Sequence, residues 1–208
     1  MQLKARNDIH LARRIWHFCG VMVMFTLYWF LNSRQALTLA LVMSAFMIGF
    51  DVGRLYVPAL NRIFSRTFRW VLRQGELDRI SGAASMLAGV TLIIFLYPKN
   101  VVLLALLFVA IGDPVASYFG IRFGKDKLVG NKSLQGSLAA FAACFVISLG
   151  YYWAMDLMRE RLFIVCLLSA LIGAASELIP VGRLDDNIVF PVLSGTLLYG
   201  LFIIFGGL

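Results

Sequence analysis

Eleven acidic residues stand in a chain that is 61% hydrophobic, and most of them sit at the edges of long apolar runs beside basic residues. A carboxylate in or near hydrocarbon costs roughly 2.5–3.5 kcal/mol on insertion scales, so each needs a partner or a task. Asp113 lies in Gly112-Asp113-Pro114, Glu177 ends another run, and Asp185-Asp186-Asn187 opens the last. Between Gly120 and Ser133 a loop gathers Arg122, Lys125, Lys127 and Lys132 with Gly124, Gly130 and Asn131, followed by Gly136 and Ser137. Glycines let backbone approach a ligand while Lys and Ser supply charge and donors, a combination suited to phosphate. With Asp113 on the preceding helix, such a loop suits a nucleotide phosphate chain bridged by a divalent cation. A generic Walker loop is excluded: Gly124 to Gly130 is one residue too long, Asn131 precedes Lys132, and no strand leads in. Loop cations that merely fix membrane topology are the plain alternative; the acid beside Pro114, where a helix is expected to break and line a polar cavity, favours the ligand.

The elements that must position these residues are membrane helices. A chain of 208 residues with 14% charged residues and apolar runs along its whole length reads as one polytopic membrane domain over 1–208. Seven spans are expected: Ile15–Leu31, Gln35–Phe50, Ser81–Tyr97, Val101–Phe119, Leu134–Tyr152, Leu162–Ile179 and Ile188–Leu208. No small-residue cleavage site follows the first run, which is expected to be retained. With the N-terminus inside, fifteen of the nineteen Lys and Arg and nine of the eleven acidic residues, all but Asp156 and Glu160, fall on the cytoplasmic side.

Between the second and third spans, Leu60, Ile63, Phe64, Phe68, Val71 and Leu72 share one helical face; Arg62, Arg66, Arg69 and Arg73 share the other. That spacing predicts an amphipathic helix lying at the cytoplasmic interface, an anchor for anionic headgroups or a set of arginines facing an anionic substrate. The net charge of +8 comes without the aromatic-basic interleaving of a nucleic-acid surface, and no nucleic-acid partner is expected. Cys19, Cys144 and Cys166 lie within apolar runs, without metal-site or disulfide spacing. Asp51 with Arg54 one turn on, and Asp126, read equally well as structural pairs.

Four stretches in order make the chain resemble a family. Gly112-Asp113-Pro114, Gly120 and Gly124 lead into Asn131-Lys132-Ser133 and Gly136-Ser137. Arg13-Arg14 is followed by His17 and Gly20, and Arg73 to Glu76 is followed by Ser81-Gly82. Glu177 and Pro180 precede Asp185-Asp186-Asn187 and Pro191. Together they resemble the CTP-dependent lipid kinases: dolichol kinase, phytol kinase and the CTP-dependent diacylglycerol kinase of the endoplasmic reticulum, with the diacylglycerol branch nearest. Two features depart from the pattern: the family usually has Thr or Ala where Pro114 stands, and only Asp8 is available for the acid ahead of Arg13-Arg14. The related phosphatidate cytidylyltransferases share the Gly-Asp helix, but their Ser-x-x-x-Arg-Asp-x-x-Lys-Asp signature is absent.

The resemblance implies transfer of the γ-phosphoryl group of CTP to a lipid alcohol, diacylglycerol or polyprenol, at the cytoplasmic face of a bacterial inner membrane or the endoplasmic reticulum. It implies Mg²⁺ or another divalent cation on Asp113, Asp185 and Asp186, with Asp113, Glu177 and Asp186 catalytic. Lys132, Ser133, Asn131, Lys127, Gly136, Arg14 and His17 would contact nucleotide or phosphate. His17 can equally be an interfacial histidine satisfied by a carbonyl, and Asn187 can orient a carboxylate or cap the last helix with Asp186. Phosphatidate cytidylyl transfer is the rival chemistry, and a small transporter the rival class. A transporter would place its polar residues near the midplane in two related halves, which are not evident here. Oligomeric state is not readable from the residues.

Overall fold

The computed structural model describes residues 11–72, 76–182 and 184–208; Lys4, Arg6, Asp8, Arg73 and Arg183 lie outside the described residues. The chain runs α1 (Leu11–Phe30), α2 (Ser33–Tyr56), α3 (Pro58–Thr67), α4 (Gly82–Leu96), α5 (Lys99–Leu107), a π-helical turn (Phe108–Gly112) and α6 (Asp113–Phe123). A hairpin of β1 (Lys127–Val129) and β2 (Lys132–Ser133) follows, then α7 (Leu134–Ala154), α8 (Leu162–Leu178) and α9 (Asp186–Phe205). Among the described residues five helices are long and apolar enough to cross a membrane: Ser33–Tyr56, Lys99–Phe123, Leu134–Ala154, Arg159–Leu178 and Asp186–Phe205. α1 has 20 residues and α4, also apolar, only 15. Large apolar side chains such as Phe46, Val146, Phe163 and Ile204 stand exposed on the outside of the bundle, the surface a bilayer covers.

Lys99–Phe123 is the central helix, its side chains Val101–Leu106 and Phe108–Ala110 almost wholly buried. The break expected at Pro114 does not occur. The amide of Asp113 instead bonds to the Phe108 carbonyl five residues back, and the wider π turn absorbs the proline that an α-helix would exclude. Asp113 therefore emerges where the helix changes pitch.

α7 crosses α6 closely because neither carries bulk at the contact. A Cβ on Gly136 would lie 2.9 Å from the Ala116 carbonyl oxygen and 3.2 Å from the Gly120 Cα. On the other flank, Gly89 of α4 lies against Pro191 of α9.

The expectation of a wholly helical chain misses the hairpin, in which Lys127 pairs with Ser133 and Val129 with Lys132. Gly130 turns it with a φ of 54°, which glycine adopts without strain. Gln135 latches its base, donating to the Asp126 carboxylate at 2.7 Å and accepting from the Lys125 amide.

At the end of the bundle that carries this hairpin, α2 runs past the expected Phe50 to Tyr56, because Asp51 and Arg54 neutralise each other inside it. Both are fully buried, and Arg54 Nε donates to Asp51 Oδ1 at 2.6 Å. The remaining guanidinium donors reach Asn61 Oδ1 and the carbonyls of Glu76, Leu77 and Arg79, while Asp51 Oδ2 accepts the Ser81 amide. Phe64 of α3 stacks under the guanidinium, 4.6 Å from its carbon. α3 itself ends at Thr67, so Phe68 and Val71 follow it as turns; Arg62, Arg66 and Arg69 are exposed and Leu60, Asn61 and Phe64 are partly covered.

Arg54→Met would leave the Asp51 carboxylate buried and unpaired and should destabilise the protein by about 3–5 kcal/mol. Thermal unfolding in detergent measures this. Adding Asp51→Asn should recover part of the loss, and an Arg54→Met variant as stable as the parent would remove the pair from this role.

Candidate active site

The helix ends that carry Asp113, Glu177 and Asp186 meet beneath the hairpin, and Lys132 descends between them. Its ammonium donates to Glu177 Oε1 at 2.5 Å and to the Glu177 backbone carbonyl at 2.9 Å, with Asp186 Oδ2 at 3.9 Å. Asp113, Lys132, Ser176, Glu177 and Asp186 line one pocket, floored by Val189 and Phe190. Burial strips water from the ammonium and alone would depress its pKa. Glu177, Asp113 and Asp186 more than offset that, and the net shift is upward. The pocket is narrow, with room of only about 10 Å³, and Asp186 on its lining stays nearly half exposed.

α1 supplies a second row. Arg14 Nη2 donates to Ser117 Oγ at 3.3 Å, and its guanidinium lies over the Tyr118 ring at 5.3 Å. Asp113, one turn before Ser117, feels its charge. Among the described residues, Arg14 Nη1 and Ser176 Oγ are buried without a partner, as are His17 Nε2, one turn along α1, and Ser137 Oγ in the first turn of α7. Buried polar atoms are normally satisfied, so this set fits a site whose ligand supplies the missing partners. Its neighbour Arg13 is spoken for, gripping Glu76 through both terminal nitrogens at 2.9 and 2.7 Å and the Val71 carbonyl at 3.0 Å. Gly82 makes room for that clamp: a Cβ there would lie 2.9 Å from both Arg13 Nη2 and Asn187 Nδ2.

The residues singled out by sequence thus divide. Asp113, Lys132, Glu177 and Asp186 come together, with Arg14 and His17 alongside. Ser133 is buried and caps α7 by accepting the Gly136 amide, and Gly136 serves the helix crossing. Lys127 and Asn131 remain on the exposed hairpin, joined by a bond from the Lys127 ammonium to the Asn131 carbonyl. Asp185 is occupied as the cap of α9, its Oδ1 accepting from both Asn187 nitrogens, so Asp186 opens the helix and Asn187 does not cap it. Asp113, Asp185 and Asp186 consequently form no trio; among the described residues no three His, Cys, Asp or Glu side chains cluster as a metal cage. Sequence reasoning passed over Ser176, whose one signal is adjacency to Glu177, and Ser117 and Tyr118, one turn beyond Asp113.

Comparison with known proteins accords with this constellation. Over 160 residues, 72% of this chain, the sequence is 34% identical to the CTP-dependent diacylglycerol kinase 1 of Schizosaccharomyces pombe, covering 73% of that protein. The chain belongs to the CTP-dependent lipid kinase family. It is 31% identical over 172 residues to the CTP-dependent diacylglycerol kinase 1 of Saccharomyces cerevisiae, again 72% of this chain but spanning only 59% of that protein's length. A probable chloroplastic phytol kinase 3 of Glycine max is 28% identical over 199 residues, covering 90% of this chain and 61% of that protein. No family profile matches the chain, and no solved structure matches it.

Two substitutions separate a ligand role from a structural one. Ser133→Ala should cost about 1 kcal/mol of stability through the lost cap. Lys132→Met should weaken CTP binding, measured by calorimetry. With its pKa raised, Lys132 contributes its pairing in full below the ordinary lysine value of 10.5 and loses it only as pH rises through the raised one. The stability gap between the parent and Lys132→Met should therefore stay flat from about pH 7 to 9, and a gap that closes in this range would contradict the shift.

Proposed function

We propose that the chain transfers the γ-phosphoryl group of CTP to the hydroxyl of a lipid alcohol, diacylglycerol in the first place, at the cytoplasmic face of the membrane. In the reaction the lipid oxygen forms a bond to Pγ, the bond from Pγ to the β-bridging oxygen breaks, and CDP leaves. The lipid hydroxyl gives up its proton to a carboxylate. The observation that carries the reading is one lysine held among Asp113, Glu177 and Asp186 at a single end of the bundle. A transporter would place such groups near the midplane.

The residues have separate tasks in this reading. Lys132 faces the phosphate chain and neutralises it, and Arg14 and His17 offer buried donors that have no protein partner. Glu177, which accepts from Lys132, is the proton acceptor. The Asp113 side chain lines the pocket together with Asp186. Two carboxylates on one pocket suit Mg²⁺, which is usually held by one or two carboxylates together with substrate phosphates and not by an all-protein cage. The cation would supply charge neutralisation to the phosphates. Because the pocket is narrow and Lys132 sits on Glu177, a phosphate chain is seated as Lys132 leaves Glu177 and the β1–β2 hairpin lifts with it. A two-stranded hairpin with an exposed β1 is light enough to do so.

Seven spans with the N-terminus inside complete the proposal, with α1 and α4 joining the other five helices. α3 then lies in the interface with Arg62, Arg66 and Arg69 at headgroup level.

Label transfer in lipid micelles tests the reading. Label from γ-labelled CTP should appear in the phosphorylated alcohol, and Asp113→Asn and Asp186→Asn should each lower the rate by about two orders of magnitude or more. Label arriving from the α position on phosphatidate would instead make the chain a cytidylyltransferase. Activity surviving the double replacement would overturn the assignment of the carboxylates.

A further inference from the structure

α1 and α7 both pack on the central helix but scarcely touch each other, and the gap between them leaves that helix open to the side. The gap is a cleft of about 560 Å³, floored by Leu107 and Ile111 and walled by Phe25 and Trp29 of α1 and by Val146 and Gly150 of α7. It is dry. Of its polar groups, Thr26 bonds back to the Met22 carbonyl and the Tyr151 hydroxyl to the Asn100 carbonyl, so nothing in the lining calls for water or a polar ligand. Its depth is as telling. Ile111 stands two residues before Asp113 on the same helix, and a Cβ on Gly112 would lie 3.0 Å from Cys144 Sγ, which places Cys144 of α7 at that level. From Cys144 to Met155, at the cleft's far end, is about 16 Å at the helical rise.

We propose that this cleft seats one hydrocarbon tail of the lipid acceptor, which enters sideways between α1 and α7 and thereby presents its hydroxyl at Asp113. The inference rests on the lipid kinase reading and adds to it the acceptor's route and a preference for long chains. Arg14 meets Ser117 and Tyr118 farther along the central helix, on the other side of Asp113 from the cleft. Uniform binding along the tail fixes the reacting oxygen by holding parts of the molecule remote from it.

Gly150 gives the test, because a Cβ there meets nothing within 4 Å and a larger side chain would fill the cleft without displacing backbone. It lies six residues beyond Cys144, about 9 Å along α7, deeper than a hexanoyl chain reaches from Asp113. Gly150→Phe should lower kcat/KM for dioleoylglycerol by about tenfold or more while leaving dihexanoylglycerol and the KM for CTP unchanged. Equal effects on both acceptors, or none on either, would overturn the proposal. A diacylglycerol carrying a diazirine at the end of one acyl chain gives a readout independent of phosphoryl transfer. Its adducts should fall on α1 and α7 and be competed by unlabelled diacylglycerol but not by phosphatidylcholine. Competition by both lipids equally would mean annular lipid only and would overturn the seat. Absence of transfer from CTP to any alcohol, with the selective adduct intact, would count against the kinase reading and leave the seat standing.

Discussion

The guanidinium of Arg54 holds together everything at the polar end of the molecule. Its donors reach Asp51, Asn61 and three carbonyls of the segment before α4, and Asp51 returns a bond to Ser81, the cap of α4. Two buried charges would be a liability in apolar surroundings; fully satisfied, they bind α2, α3 and α4 into one piece. A lysine could not replace this arginine, since one ammonium cannot span so many acceptors in a planar fork. The consequence reaches the site. Arg54 fixes the backbone of Glu76, Glu76 holds Arg13 with two bonds, and Arg13 sets the register of α1. One residue along, Arg14 meets Ser117 on the central helix.

The central helix answers a second constraint, that of bringing a carboxylate out of a hydrophobic rod without unravelling it. A break would strand backbone groups in hydrocarbon, where each costs several kcal/mol. The π turn over Phe108–Gly112 keeps the helix continuous, tolerates Pro114 and leaves Asp113 at the change of pitch. Glycines then let the neighbours close: Gly112 and Gly173 admit Cys144, and Gly136 admits the backbone at Ala116 and Gly120. Much of the glycine pattern between Gly112 and Gly136 therefore reports helix packing. From sequence the same pattern read as a phosphate loop.

These glycines mark the boundary of what sequence carried, since the same residue type suits a close helix crossing and a close approach to a ligand. The helices, the basic bias of one end and the amphipathic α3 were legible because hydrophobic period and charge are local properties. Asp113, Lys132, Glu177 and Asp186 were legible one at a time as polar residues in unlikely places; their meeting is a long-range fact. Ser133 and Asp185 have types that suit either a ligand or a cap, and only the hydrogen bonds to Gly136 and Asn187 decide between them. The π turn had no sequence signature beyond a proline, which by itself predicts a break. Lys132 was chosen for phosphate, and its pairing with Glu177 depends on a hairpin that three residues of β1 and two of β2 scarcely announce.

A phosphoryl transfer from nucleotide to lipid has to join a highly charged molecule from water with a hydroxyl that lives in hydrocarbon. The two needs conflict if a single cavity must serve both, since apolar walls raise the cost of the phosphates and polar walls repel the tail. In this fold they are divided along the central helix. At Asp113 and beyond, carboxylates on three helices surround a lysine delivered from the exposed hairpin, so the charge arrives from the aqueous side. From Ile111 onward the same helix floors a dry cleft whose walls are Phe25, Trp29 and Val146. In the proposed reading the reacting oxygen belongs at the junction, two residues wide, where the pitch of the helix changes. The narrow pocket fits the same division. With Lys132 seated on Glu177, each carries the other's charge, and the carboxylates do not face one another uncompensated until a phosphate chain draws the ammonium away.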